Sequence, residues 1–217
     1  MFLKMILLLV IFTFSTYNLS LASDPDPVTD YCIPEVASSS SPLQQCKNSS
    51  SVNVEDFVFN GIKDSGSLKK TGFSAYSVNS TVFPSLNTLG MSFVRADFDV
   101  GGVNVPHYHP RATEVVYVLE GEVYSGFVDT QNRVLAKVIK KGEVMVFPKG
   151  LVHFQMNVGK RQATLLGSFN SQSPGTVRIA NAIFGSEIDE GLLKKAFGMD
   201  SKEIKKMRKR FNADELN

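Results

Sequence analysis

The sequence of 217 residues has no tryptophan, only two cysteines and only three histidines, and it has no large excess of either charge. Lysine and arginine number 23, against 21 aspartates and glutamates. Because nucleic-acid binding needs a basic surplus on one face, this balance argues against a nucleic-acid partner. No long apolar run follows the N-terminal segment, so we expect no stable membrane insertion of the mature chain.

The single long apolar run lies at the N-terminus. Lys4 precedes the apolar residues 5–14, and Ser20-Leu21-Ala22 forms a small-x-small cleavage motif. This order predicts a signal peptide over residues 1–22 and a secreted mature protein, with an uncleaved signal anchor as the alternative. The run is short for a membrane span, which favours cleavage.

The two cysteines, Cys32 and Cys46, lie close together in a segment rich in serine, proline and asparagine. In a secreted chain an even cysteine count predicts a disulfide, here one that pins an N-terminal arm over residues 23–55. A metal site is the alternative, but both thiols lie far along the chain from the histidines. Asn48 and Asn79 head glycosylation sequons.

All three histidines fall in two stretches, residues 101–121 and residues 142–157. His107 and His109 are two residues apart, so on a strand both side chains point to the same face. Proline on either side of the pair predicts a position at the end of a strand, because proline cannot donate to a sheet ladder. His153 begins a second strand-like run.

Glu114 follows the histidine pair at the start of a run rich in β-branched residues. Three imidazoles and one carboxylate suit a divalent transition metal. Four such ligands would leave two positions of an octahedron for water or substrate. The alternative is a set of histidines packed in the core, and the clustering of all three favours the metal site.

Between residues 56 and 185 the sequence predicts a sandwich or barrel of short strands separated by Gly, Asn, Asp and Pro. The predicted strand runs are residues 57–59, 88–99, 114–129, 133–140, 144–147, 151–158 and 163–168.

Apolar residues recur at helical spacing among lysines in the C-terminal segment, residues 186–217. Ser186 and Ser201 are predicted N-caps of two helices that Gly198 separates. The segment is too short for a core of its own, so we expect its apolar face to pack on another surface. The basic run 202–210 predicts a solvated helix face, with a membrane surface or an acidic partner as the alternative.

Two sequence motifs carry a resemblance to a known family. The first, G-x5-H-x-H-x4-E-x6-G, and the second, G-x5-P-x-G-x2-H-x3-N, are the two cupin boxes. The chain fits both of them at Gly101, His107, His109, Glu114 and Gly121, and at Gly142, Pro148, Gly150, His153 and Asn157. With the flanking text PHYHPRATE and GSFNSQSPG, the chain resembles the germins and germin-like proteins of plants from about residue 24 to its C-terminus.

The resemblance implies a mainly β fold: a cupin (jelly-roll) β-barrel with the short disulfide-pinned arm before it and an α-helical extension after it. It implies a manganese ion bound by His107, His109, Glu114 and His153. It further implies a homohexamer, built as a trimer of dimers through residues 186–217, and a location in the plant apoplast and cell wall.

Three functions are compatible with this resemblance. The first is superoxide dismutase-like redox activity, and the second is a non-catalytic wall protein or a binder of a small ligand such as auxin. The third is oxalate oxidation, which in germins uses two asparagines beside the metal. Asn104 matches one of them and is the substrate-pocket candidate, whereas Val94 stands at the other position. Because valine cannot donate a hydrogen bond to a carboxylate, Val94 argues against oxalate oxidation.

Overall fold

The computed structural model describes residues 28–35, 45–68 and 71–212. The predicted signal peptide, residues 1–22, lies outside these ranges. Ten strands occur in the described part of the chain: β1 Phe73–Val78, β2 Ser92–Phe98, β3 Val103–Tyr108, β4 Glu114–Glu120, β5 Glu122–Val128, β6 Val134–Lys140, β7 Val144–Phe147, β8 His153–Asn157, β9 Ala163–Phe169 and β10 Val177–Arg178.

The strands form two five-stranded sheets, in the orders β1-β2-β9-β4-β7 and β10-β3-β8-β5-β6. All neighbouring strands are antiparallel. On β4, Val116 and Val118 are buried, whereas Val115 and Tyr117 are exposed. This alternation is typical of a strand with one face on a core. The main apolar core lies between the inner faces of the sheets, as the prediction of a mainly β cupin barrel requires.

A single residue, Gly121, carries the chain from β4 in the first sheet to β5 in the second. Its φ of 88° lies in the left-handed region, which glycine adopts without a steric penalty. The predicted continuous run 114–129 is therefore wrong in one respect. It divides into two strands that belong to different sheets, because the chain turns sharply at this glycine.

The predicted strand at residues 57–59 is also wrong. Residues Val54–Phe57 form a 3-10 turn instead. The Asn53 side chain accepts a hydrogen bond from the Glu55 amide, and the Asp56 carboxylate accepts one from the Asn53 amide. This capping box holds the turn against an extended conformation. Conversely, β1 was not predicted, because half of its six residues are serine or alanine.

The N-terminal arm is attached by a disulfide between Cys32 and Cys46, as predicted. Ile33, next to the bridge, is buried, and Asn87 Nδ2 donates to the Cys32 carbonyl at 2.9 Å. Closing a loop of this length stabilises the folded state by roughly 3 kcal/mol in the chain-entropy account. The bridge therefore fixes a segment that has few apolar residues of its own.

Three helices follow the sheets and pack on one another. They are α1 Ile179–Phe184, α2 Glu190–Phe197 and α3 Ser201–Phe211. Phe184, Leu193 and Ile204, one from each helix, form a small buried cluster. Leu193 and Ile204 of the segment 186–217 thus pack against Phe184 of α1, which precedes that segment, as the expectation that it needs another surface requires. Leu192 and Phe197 stay exposed. No helix in the described ranges is long and apolar enough to cross a membrane.

The helix caps differ from the predicted serines. Asp189 accepts from the Leu192 amide at the start of α2, and Asp200 accepts from the Glu203 amide at the start of α3. A carboxylate at the cap also favours the positive end of the helix dipole. Ser186 instead donates to a carbonyl of the preceding turn. Gly198 does separate the two helices, with a φ of 66°.

Candidate metal centre

Four side chains from both sheets converge inside the barrel. His107 lies on β3, His109 lies just beyond its end, and His153 begins β8 of the same sheet, whereas Glu114 begins β4 of the opposite sheet. All four are buried, and one potential ligand atom from each lies within 4.8 Å of the others. The structure therefore brings together every residue of the predicted ligand set.

A β-bulge in β3 places the neighbouring polar residues on the same inner face. Asn104 pairs with Gln155 and His107 pairs with His153, so three steps on β3 match two on β8. Pro106 lies within this irregular stretch, where its missing N–H removes no ladder bond. Without the extra residue, Asn104 and His107 would face opposite sides. Asn104 Nδ2 donates to Gln155 Oε1 at 2.7 Å.

Each imidazole is oriented by a backbone carbonyl at its Nδ1 atom. The partners are the carbonyls of Val105 for His107 at 2.8 Å, Gly175 for His109 at 2.5 Å and Leu151 for His153 at 2.9 Å. A carbonyl only accepts, so Nδ1 carries the proton of each neutral ring and Nε2 keeps its lone pair. Such contacts fix the tautomer and the ring plane of metal-binding histidines.

The protonation states of the cluster follow from burial and close contacts. Burial lowers the pKa of His107 to about 3, and the neighbouring His153 acts in the same direction, so the ring is neutral at physiological pH. Burial acts to raise the pKa of Glu114, but its contacts with His109 and His153 outweigh burial and lower the pKa to about 2. The centre thus contains an ionised Glu114 carboxylate and a neutral His107 imidazole.

The contacts within the cluster suit a bound cation. Glu114 Oε2 lies 3.3 Å from His109 Nε2 and 3.1 Å from His153 Nε2. With both Nδ1 atoms at backbone carbonyls, both Nε2 atoms point at one carboxylate oxygen. A divalent cation among the three atoms would be bound by the carboxylate and by the Nε2 lone pairs of the two rings. Three imidazoles and one carboxylate are also a donor set that suits a divalent transition metal. These four residues therefore fit the manganese ion that the resemblance implies.

Aromatic side chains pack against two of the imidazoles. Phe147 stacks on His153 with ring centroids 4.5 Å apart, and Phe169 meets His109 edge-on at 4.7 Å. Phe147 and Phe169 are also the register partners of Glu114 in the adjacent strands. The same two rings therefore limit the movement of the histidines and flank the carboxylate.

A cupin family model matches residues 60–205 of the chain. The chain is 55% identical to Germin-like protein subfamily 3 member 2 of Arabidopsis thaliana over 199 residues, which cover 89% of this chain and 88% of that protein. It is 49% identical to Germin-like protein 2-4 of Oryza sativa subsp. japonica over 196 residues, which cover 87% of this chain and 86% of the relative. The chain belongs to the germin-like proteins of the cupin family.

Among solved structures, an oxalate oxidase matches this germin-like protein with a TM-score of 0.83. The two share 34% sequence identity, and the match covers 87% of this chain and 98% of that chain. The similarity therefore includes the barrel and most of the flanking segments, and not only the candidate metal ligands.

A cavity of about 450 Å³ opens beside the four candidate metal ligands of this germin-like protein. Its polar wall includes Asn104, Gln155 and Arg178, and its apolar wall includes Val94 and Phe169. Val94 therefore faces the site, as the sequence comparison with germins implied. The cavity is large enough for a small organic molecule and presents chemically different sides to it.

Gly167 is a site residue that the sequence analysis missed. It lies on β9, with Val94 and Val116 as its register partners. A Cβ atom at this position would come within 2.7 Å of Val94 Cγ1 and 2.9 Å of Glu114 Oε1. The missing side chain makes room for the carboxylate. Only the pairing of strands distant in sequence reveals this, so no local pattern could have indicated it.

We predict that Gly167→Ala weakens metal binding by roughly tenfold or more, because the new methyl group displaces the Glu114 carboxylate from the cluster. Competition titration with a metallochromic chelator measures the affinity. Ser168→Ala, at the next position along β9, is the matched control and should bind as the wild type does. Equal affinities in the wild type and Gly167→Ala would contradict the role of this space.

The predicted glycosylation sites lie apart from the cavity. Asn48 is exposed in a turn where its Oδ1 accepts from the Ser50 amide. Asn79 is half-buried, and its Oδ1 accepts from the amides of Thr81 and Val82. Glycosylation at either position stays a prediction.

Proposed function

We propose that this germin-like protein is a secreted manganese protein of the plant extracellular matrix with superoxide dismutase-like activity. The observation that carries the proposal is the convergence of three oriented imidazoles and one ionised carboxylate beside an open cavity. His107, His109, Glu114 and His153 would hold the ion. The resemblance to germins favours manganese among the metals that accept this donor set.

Bound manganese would supply a redox-active centre that alternates between two oxidation states. The protein's own contribution is to bind the ion and to orient the side chains that would hold it. The Nδ1 contacts aim the imidazoles, and Phe147 and Phe169 shield the ligands. Because a single carboxylate offsets only half of a divalent charge, the centre keeps a net positive charge that attracts a small anion such as superoxide.

Oxalate oxidation is the activity of the structurally similar oxalate oxidase, and it is not the function we propose for this chain. Oxalate is a dianion that needs polar groups around both carboxylates. Val94, buried in the cavity wall, offers no donor. Asn104 is the only asparagine of the predicted pair that this chain retains.

A non-catalytic role is the second candidate. The cavity combines a volume of about 450 Å³ with an apolar wall that superoxide does not need. A wall protein that binds a small auxin-like ligand would use that surface. The metal would then serve to anchor the ligand and to stabilise the barrel.

The decisive experiment uses protein purified from its plant source. Elemental analysis gives the metal content, and superoxide and oxalate turnover are measured on the same sample. Near-stoichiometric manganese with metal-dependent superoxide dismutation is the expected result. Manganese without either activity would favour the non-catalytic candidate, and a different metal at full occupancy would contradict the proposed cofactor.

We also propose that the protein assembles as a homohexamer, a trimer of dimers, in the apoplast and cell wall. Four exposed apolar residues support association: Val115 and Tyr117 on β4, and their register partners Val146 and Val144 on the edge strand β7. An exposed apolar patch of this kind is typical of an interface. Light scattering is expected to give the mass of six chains, and a monomer at micromolar concentration would contradict the assembly.

A further inference from the structure

An arginine shares the inner row of side chains that contains two of the candidate metal ligands. Arg178 on β10 is the register partner of His107 on β3, and His107 is in turn the partner of His153 on β8. Directly opposed residues of antiparallel strands project to the same face. Arg178 therefore projects toward the barrel interior, and it lines the cavity beside the metal cluster.

The Arg178 guanidinium has no anionic partner of its own. It is half-buried, and within residues 28–35, 45–68 and 71–212 it makes no hydrogen bond or ion pair. A cation without a counter-charge would be unfavourable beside a centre that binds a divalent ion, because like charges repel. A bound anion removes that cost, and a guanidinium fork matches the two oxygens of a carboxylate.

The apolar part of the cavity wall restricts the kind of anion. Val94 and Phe169 form an apolar surface in the same cavity. It offers no donor for a second carboxylate, but it can bury a short hydrocarbon chain. We propose that Arg178 forms an anion-binding subsite for small monocarboxylates, which place their carboxylate at the guanidinium and their apolar end against Val94 and Phe169. The inference deepens the proposed function and rests on its metal centre only for additional positive charge.

Two probes, acetate and butyrate, test the subsite by saturation-transfer NMR on protein whose metal content has been measured. The wild type is expected to bind butyrate roughly tenfold more tightly than acetate, because two further methylene groups are buried. Arg178→Gln is expected to weaken butyrate binding about tenfold, equivalent to about 1.4 kcal/mol. Arg178→Lys, which keeps the charge without the fork, should fall between the two proteins.

The matched control is Arg161→Gln, which removes the same charge from an exposed position in the loop between β8 and β9. It should bind butyrate as the wild type does. Metal affinity provides a second readout. Removing the positive charge of Arg178 should leave the metal affinity unchanged or raise it. If the arginine had only a structural role, its substitution would lower the metal affinity.

Equal butyrate affinities in the wild type, Arg178→Gln and Arg178→Lys would overturn the proposal, as would absence of butyrate binding to the wild type. Equal binding of acetate and butyrate would overturn the role of the apolar wall. The metal analysis separates this inference from the proposed function. A metal other than manganese contradicts the proposed cofactor, while the dependence on Arg178 still decides whether the subsite exists.

Discussion

The His153→Ala protein is expected to fold and to bind manganese at least about 100-fold more weakly than the wild type. The change removes one of four donors, and His153 is only 1% exposed. No other histidine can replace it, because all three histidines of the chain belong to the cluster. Loss of a residue that merely supports a ligand already costs roughly 10- to 100-fold in metal affinity. Elemental analysis after dialysis and a competition titration measure the effect.

Circular dichroism establishes whether the His153→Ala barrel remains folded. Met156→Ala is the matched control, because Met156 lies on the same strand, β8, with its side chain exposed to solvent. This control should retain the wild-type metal content. Full occupancy of His153→Ala at the wild-type affinity would remove His153 from the ligand set and would contradict the four-residue centre.

Val94→Asn is expected to raise oxalate turnover by about 10- to 100-fold from a wild-type level close to background. An anionic oxygen buried without a partner costs about 1–3 kcal/mol, and 1.4 kcal/mol corresponds to about a factor of ten. Val94 lies in the cavity wall next to Gly167 and the Glu114 carboxylate, so an amide there faces the bound anion. Superoxide needs no such donor, and its dismutation should change by less than about threefold.

Val94→Ala separates the effect of a donor from the effect of space. It enlarges the cavity without adding a hydrogen-bonding group, so it should not gain oxalate turnover. Parallel assays of oxalate consumption and superoxide dismutation on the wild type and both variants make the comparison. Vigorous oxalate oxidation by the unmodified protein would overturn the significance assigned to Val94.

The local motifs made the ligand set and the barrel predictable. His107, His109 and Glu114 lie within eight consecutive positions of one cupin box, and His153 lies in the other. The spacing of His107 and His109 predicts a shared strand face, and the resemblance to the cupin boxes implies that Glu114 and His153 join them. The disulfide was predictable for a similar reason, since Cys32 and Cys46 are the only cysteines.

Features that depend on pairing between distant segments escaped the sequence analysis. Gly167 matters because β9 lies between β2 and β4, and Arg178 matters because β10 pairs with β3. Neither neighbour relation is visible in a local pattern. The helix caps were predicted wrongly for a different reason. Asp189 and Asp200 compete with nearby serines for the same role, and a carboxylate interacts more strongly with the first-turn amides.

One of the three imidazole contacts differs from the others in reach. His107 and His153 each use a carbonyl two residues away, but His109 uses Gly175, 66 residues further along the chain. The segment at Gly175 leads directly into β10 and the three helices. An ion that binds His109 in this orientation therefore also stabilises the packed position of the C-terminal segment. The packed segment strengthens ion binding by the same free energy, since coupling between two sites is reciprocal. Protease resistance of the C-terminal segment is therefore expected to rise with metal occupancy at the centre of the barrel.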